Sequence, residues 1–187
     1  MDYMAPVTKV IDETEKLLGH SPHPAIVAVP IGAWAVSNLC DTLALATGDA
    51  RYDDAARISM AIGLAGAAGA VVTGLRDYSF IPKERPSHDV ATAHGLGNAV
   101  ASTLFVTSYL LRERDRAAGR GTGIVSRALA LAGGGLALYT AWLGGKLVEE
   151  YGEGVKPVME ELSDHEAHPA HDRERRSSGS PLGSRNG

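Results

Sequence analysis

The sequence predicts an all-α fold, an integral membrane four-helix bundle with an amphipathic helix before it and a disordered tail after it. Three observations carry this. Four long runs are nearly free of charge, the charges crowd into the ends and the connecting stretches, and the runs lack the polar stripe that a water-soluble bundle helix presents. The mean hydropathy of −0.05 over 187 residues conceals this segregation, because charged ends and apolar runs cancel in the average.

The runs are Pro24 to Cys40, Ile58 to Leu75, Val90 to Leu111 and Ala128 to Gly145, closed by residues such as Asp41, Arg57, Arg76, Arg127 and Lys146. Each holds at least about 17 residues, roughly 26 Å of helix against a hydrocarbon core of about 30 Å. The second run is rich in glycine and alanine, a poor choice for a helix in water. In lipid, small residues such as Gly63, Gly66, Gly69 and Ala70, or Gly133 to Gly135 in the fourth run, let helices approach closely. The bundle is expected to occupy residues 23–155.

Residues 1–22 form a separate N-terminal segment. From Pro6 to Leu18, Val7, Val10, Ile11, Leu17 and Leu18 fall on one helical face and Lys9, Asp12, Glu13, Glu15 and Lys16 on the other. Such a helix suits the membrane interface, the mouth of the bundle or a surface of its own protein. The segment lacks the apolar core and the cleavage site of a secretory signal. Residues 156–187 are polar and rich in Arg, Ser and Gly, and are expected to be disordered. Their histidines, His165, His168 and His171, lack supporting ligands and carry no role.

Arginines crowd the first and third connections, which places those on the cytoplasmic side and both termini outside. The C-terminal Arg173, Arg175 and Arg176 argue the other way. The expected location is a bacterial cytoplasmic membrane. A net charge of −4 gives no reason to expect a nucleic-acid partner. The single cysteine, Cys40, excludes an internal disulfide and a multi-cysteine metal site. No nucleophile–base pair appears, and the glycines of 119–123 lack the lysine and hydroxyl residue of a phosphate loop.

This topology gathers His23, Arg76, Asp77, His94, Asn98, Trp142 and Lys146 toward one end of the bundle, with His20 and His88 flanking. Two histidines on different helices at similar depth meet the axial requirement of a haem, so His23 and His94 are candidate ligands for haem b. Arg76, Asp77 and Asn98 are candidates for the surrounding shell, through contacts to the ligands or to a cofactor carboxylate. A non-haem metal would instead want His23, His94 and Asp77 on one face. The structural alternative makes His23 a helix-start cap before Pro24, pairs Asp77 with Arg76, and bonds His94 to a backbone carbonyl. Asp41, at the other end, is expected to fix the bundle through Arg57 or Arg112.

The chain is similar to a known family in His23-Pro24, Pro30-Ile-Gly32-Ala-Trp34, Asp41, Gly74-Leu-Arg76-Asp77-Tyr78, His94 with Asn98, Arg112, Leu143-Gly-Gly-Lys146-Leu147 and Tyr151-Gly152. These residues resemble the uncharacterised bacterial membrane-domain family numbered 2231 among the domains of unknown function, over roughly His23 to Val155. The resemblance implies a multi-pass four-helix membrane domain without a settled activity. Some relatives look fused to a Rieske-type iron–sulfur domain, which implies electron transfer there. The arrangement is also loosely similar to membrane cytochromes b, with one histidine pair where those commonly use two.

The preferred reading is a small haem- or metal-binding redox subunit, in contact with lipid and with a redox or membrane-complex partner, and open to homo-oligomer formation. The alternatives are a non-catalytic scaffold or accessory subunit and a small transporter; only Pro30 marks a break within a span.

Overall fold

The structure, a computed structural model, describes residues 5–155. The tail predicted over 156–187, with its three histidines, lies outside the described residues. Five helices follow one another: α1 (Ala5–Leu18), α2 (His23–Thr47), α3 (Ala50–Tyr78), α4 (Pro86–Ala117) and α5 (Ile124–Glu149), with no strand among the described residues.

The helix boundaries follow from local chemistry. Pro24 sits in the first turn of α2 and Pro86 opens α4, positions where a missing N–H costs nothing. α2 ends at Gly48, whose φ of 70° is the left-handed conformation that glycine adopts freely, and its N–H bonds the Ala44 carbonyl. Asp49 then caps α3 by accepting the Arg51 N–H at 2.9 Å. The link between α2 and α3 is thus Gly48-Asp49 alone, which folds the two helices back on each other. Pro30 does not break α2, which runs as one helix past it.

α2 packs along α3 and α4 along α5. Lesser contacts between α3 and α4, and between α2 and α5, join the two pairs. At the centre, the Trp34 and Phe105 rings stack at 4.1 Å, beside Met60, Ala67 and Ala130. Small residues set the spacing. A Cβ on Gly63 would lie 2.4 Å from the Trp34 ring, and one on Gly133 would lie 3.0 Å from the Phe105 ring.

Polar side chains line the interior and apolar ones cover the outside. Ser37, Asp41, Thr73, Ser108, Arg112, Ser126 and Thr140 are buried, whereas Leu39, Leu45, Ile62, Leu75, Leu131 and Leu138 are exposed. In water this distribution would be inverted. By length and composition, α2, α3 and α5 can cross a membrane. α4, expected to be the third of four spans, is not among them, because His94, Asn98, Ser108, Arg112 and several threonines lower its average.

α1 forms where the amphipathic helix is expected, but little of its apolar face is used. Ile11 is buried, while Val10 and Leu17 stay exposed. The helix is tied down mainly by charge, through Arg76 of α3 to Asp12 at 2.8 Å and Glu15 at 2.7 Å.

Candidate functional site

The N-terminal halves of α2 and α4 and the C-terminal halves of α3 and α5 meet at one end of the molecule, which brings both candidate histidines there. The His23 Nδ1 lies 3.0 Å from the Thr73 hydroxyl. With that hydroxyl turned to the Gly69 and Ala70 carbonyls of its own helix, it accepts from a protonated His23 Nδ1. The lone pair then sits on Nε2. Thr73 is the partner that the sequence did not single out.

His94 is held more completely. Its Nδ1–H donates to the Thr140 carbonyl at 2.7 Å, which again leaves the lone pair on Nε2. Asn98, one turn on, donates from Nδ2 toward that nitrogen at 3.2 Å and to the His94 carbonyl at 2.9 Å. The Asn98 carbonyl oxygen accepts the Thr140 hydroxyl at 2.9 Å, which closes the ring His94–Asn98–Thr140. Asn98 therefore does adjoin a candidate ligand, as expected of a supporting residue.

Both rings pack with Cε1 nearest a glycine of the neighbouring helix. A Cβ on Gly74 would come 2.8 Å from the His23 Cε1, and one on Gly144 would come 3.0 Å from the His94 Cε1. Gly74-x-Arg76 and Gly144-x-Lys146 carry the same spacing, the one sequence signal that could have revealed these seats. The two imidazoles are near enough for their charges to interact.

Arg76 is drawn toward α1, while Asp77 stays within electrostatic reach of His23 and is linked to it through Ser21. Asp77 accepts the Ser21 hydroxyl at 2.6 Å and pairs with Arg76 at 3.3 Å. Arg76 reaches the two α1 carboxylates and lies over the Phe80 ring, 4.7 Å from its centroid. The Asp77–Arg76 pair of the structural alternative is thus formed. The helix-start cap is not His23: Ser21 accepts the His23 N–H at 3.2 Å instead, a shorter hydroxyl reaching where an imidazole does not. Lys146 pairs with Glu150 at 3.2 Å and lies over Trp142. His88 packs on Tyr78, and His20 bonds the Ser21 carbonyl. None of these three is hydrogen-bonded to the histidine pair.

Among the described residues, no three His, Cys, Asp or Glu side chains gather in a way that could hold a metal ion. The arrangement of His23, His94 and Asp77 around one metal is therefore not formed, since Asp77 is occupied by Ser21 and Arg76. What the donor set offers is two imidazoles, each with Nδ1–H fixed; the Nε2 of His94 is already shared with Asn98.

At the opposite end, Asp41 finds Arg112, one of the two partners expected of it. Arg112 donates to both carboxylate oxygens, at 2.8 and 2.5 Å, and its Nε lies 3.3 Å from the Ser108 hydroxyl. Both charges are buried, with Arg112 only 2% exposed. Arg57, the other expected partner, pairs with Glu113 at 3.2 Å, and Arg127 pairs with Asp53 while approaching Asp41 at 3.9 Å.

Comparison with curated proteins and with solved structures gives no match. Residues 19–157, nearly the whole described region, match the family described as Predicted membrane protein (DUF2231). With most of its length matched, and with apolar helices whose outward faces suit lipid, the chain belongs to this family of predicted membrane proteins.

Proposed function

We infer that the chain is a four-span protein of a bacterial cytoplasmic membrane and serves as an accessory or scaffold subunit, its polar interior fixing the helices against one another. The observation that carries this reading is the closed ring of His94, Asn98 and Thr140, in which a candidate ligand spends both nitrogens within its own fold. Arg76 and Asp77 point the same way, since both are committed to α1 and to the start of α2.

Support for α4 as a span beside α2, α3 and α5 comes from its outward face. Leu96, Val100, Val106 and Leu110 are exposed there, and the exposed Thr103 and Thr107 hydroxyls bond carbonyls of their own helix at 2.8 Å. A hydroxyl satisfied in this way can face lipid. With the arginine-rich connections inside, the Asp41–Arg112 end is cytoplasmic and the histidine end external.

A second reading, a haem- or metal-binding redox subunit with His23 and His94 as ligands, is favoured by the Nδ1–H bonds. Pinning that hydrogen to the protein is how ligating imidazoles are oriented. A haem held there would supply one-electron chemistry. Asn98 would have to release the Nε2 of His94, while Thr73 and Thr140 would keep both rings in place.

One experiment separates the two. Protein purified in detergent from haem-replete cells is examined by visible absorption and metal analysis, together with its His23→Ala and His94→Ala variants. The scaffold reading expects lower melting temperatures in the variants and no absorption band that depends on the histidines. A haem band lost in both variants would overturn it and establish the second.

A further inference from the structure

Contacts made within the α2–α3 pair recur within the α4–α5 pair. His23 lies on Gly74 and His94 on Gly144. The Trp34 ring lies against Gly63, and the Phe105 ring against Gly133. The Ser37 hydroxyl donates to the Ala56 carbonyl at 2.9 Å, and the Ser108 hydroxyl to the Ser126 carbonyl at 2.6 Å. The Ala70 carbonyl lies beside His23 as the Thr140 carbonyl lies beside His94. The members on α2 and α4 are always 71 residues apart, the separation of Asp41 and Arg112. Those on α3 and α5 are always one residue closer. Repetition at the level of contacts, with both partners shifted together, is the mark of a repeated structural unit.

The contacts between the halves supply the symmetry. Trp34 stacks on Phe105 and Asp41 pairs with Arg112, each residue meeting its own equivalent. In a two-fold arrangement only residues near the axis can do this. The axis therefore runs along the helices, through an aromatic level and an ionic level. This is the relation of parallel repeats about an axis along the membrane normal.

We propose that the two helical hairpins are copies of one unit, and that Asp41 and Arg112 are the key by which the α2–α3 hairpin takes α4–α5 as its partner. Two identical hairpins would bring like charges together at this level, Asp against Asp or Arg against Arg. Opposite charges on the axis admit the other half and reject a second copy of the same half. The nearest serine and arginine recur in both hairpins, although Glu113 and Asp53, which pair with those arginines, have Thr42 and Gly123 as their counterparts. Ser108 stands four residues before Arg112 and supports it, and Ser37 stands four residues before Asp41. Arg127 approaches Asp41, and Arg57 holds the corresponding place in the other hairpin.

The test reverses the key in the full-length chain. Asp41→Arg and Arg112→Asp, each alone, place like charges on the axis and should cut the yield of monodisperse, detergent-extracted protein by roughly tenfold or more. The double variant D41R/R112D should return it to within about threefold of wild type, because each side chain meets the same serine and arginine that its counterpart had. A reversed protein recovered no better than the single variants would overturn the proposal. An exchange without charge gives an independent reading. W34F/F105W should melt within about 4 °C of wild type. A loss larger than that of the two single changes combined would show that positions 34 and 105 are not equivalent, and would overturn the proposal equally.

Discussion

The two ends of the helical assembly are polar in different ways. At one end, His23 and His94 are held by neutral hydrogen bonds and rest on glycine backbone; at the other, Asp41 and Arg112 are full charges almost without access to solvent. A neutral partner removed leaves one donor or acceptor unmet. A charged partner removed leaves an ion stranded in a low dielectric. The ionic end should therefore be the more brittle, and the histidine end the one that tolerates change.

The largest effect is expected at the ionic end. Arg112→Met should destabilise the protein by about 3 kcal/mol, since Asp41 is left buried with only the longer contact to Arg127 at 3.9 Å. Adding Asp41→Leu should recover much of that loss, because an apolar pair carries no desolvation cost. Thermal unfolding in detergent followed by size-exclusion fluorescence reads both, and equal stability of the single and double variants would remove the distinction between the ends.

Overpacking should come next. Gly63→Ala pushes a methyl to within 2.4 Å of the stacked Trp34 ring and should cost about 1–3 kcal/mol. Gly144→Ala meets only the edge of the His94 ring, at 3.0 Å, and should cost less. The same unfolding assay ranks the two, and the reverse order would contradict the packing described.

The histidine end follows. His94→Ala removes one donor to the Thr140 carbonyl and should cost about 1–3 kcal/mol. His23→Ala should cost less, because Thr73 retains its bonds to the Gly69 and Ala70 carbonyls.

The smallest effect concerns the turn between α2 and α3. Hydrogen bonds from Arg51 hold the Asp49 carboxyl below the ordinary aspartate range. A depressed folded-state pKa gives stability that is present above the unfolded value and lost as pH falls through the folded value. Wild type should therefore exceed Asp49→Asn slightly at neutral pH, and the gap should close in acid; a gap that persisted there would exclude the carboxylate as its source.

The sequence made the helical class, the apolar exterior and the pairing of Asp41 legible, since each rests on a long run or on a charge that closes one. α4 was harder. Ser108 and Arg112 face inward while Leu96, Val100, Val106 and Leu110 face outward, so its average hydropathy understates its outer face. Arg76 was expected beside the histidines because chain order puts it at the same end, but direction around a helix decides contact, and Arg76 turns toward α1, whereas Asp77 reaches His23 through Ser21. Thr73 and Thr140 escaped notice because a threonine in an apolar run carries no signal until its neighbour is known. The repeat was present in the spacing from His23 through Trp34, Ser37 and Asp41, matched by His94, Phe105, Ser108 and Arg112. Divergence from Trp to Phe and from Asp to Arg hid it from inspection residue by residue.

The central claim, that the polar interior binds helix to helix, is tested most directly by a double-mutant cycle on His94 and Asn98, with thermal stability as the readout. The closed ring with Thr140 predicts that His94→Ala and Asn98→Ala each destabilise and that the double variant loses less than the sum, by about 0.5–3 kcal/mol. Unchanged stability in all three variants would contradict the account.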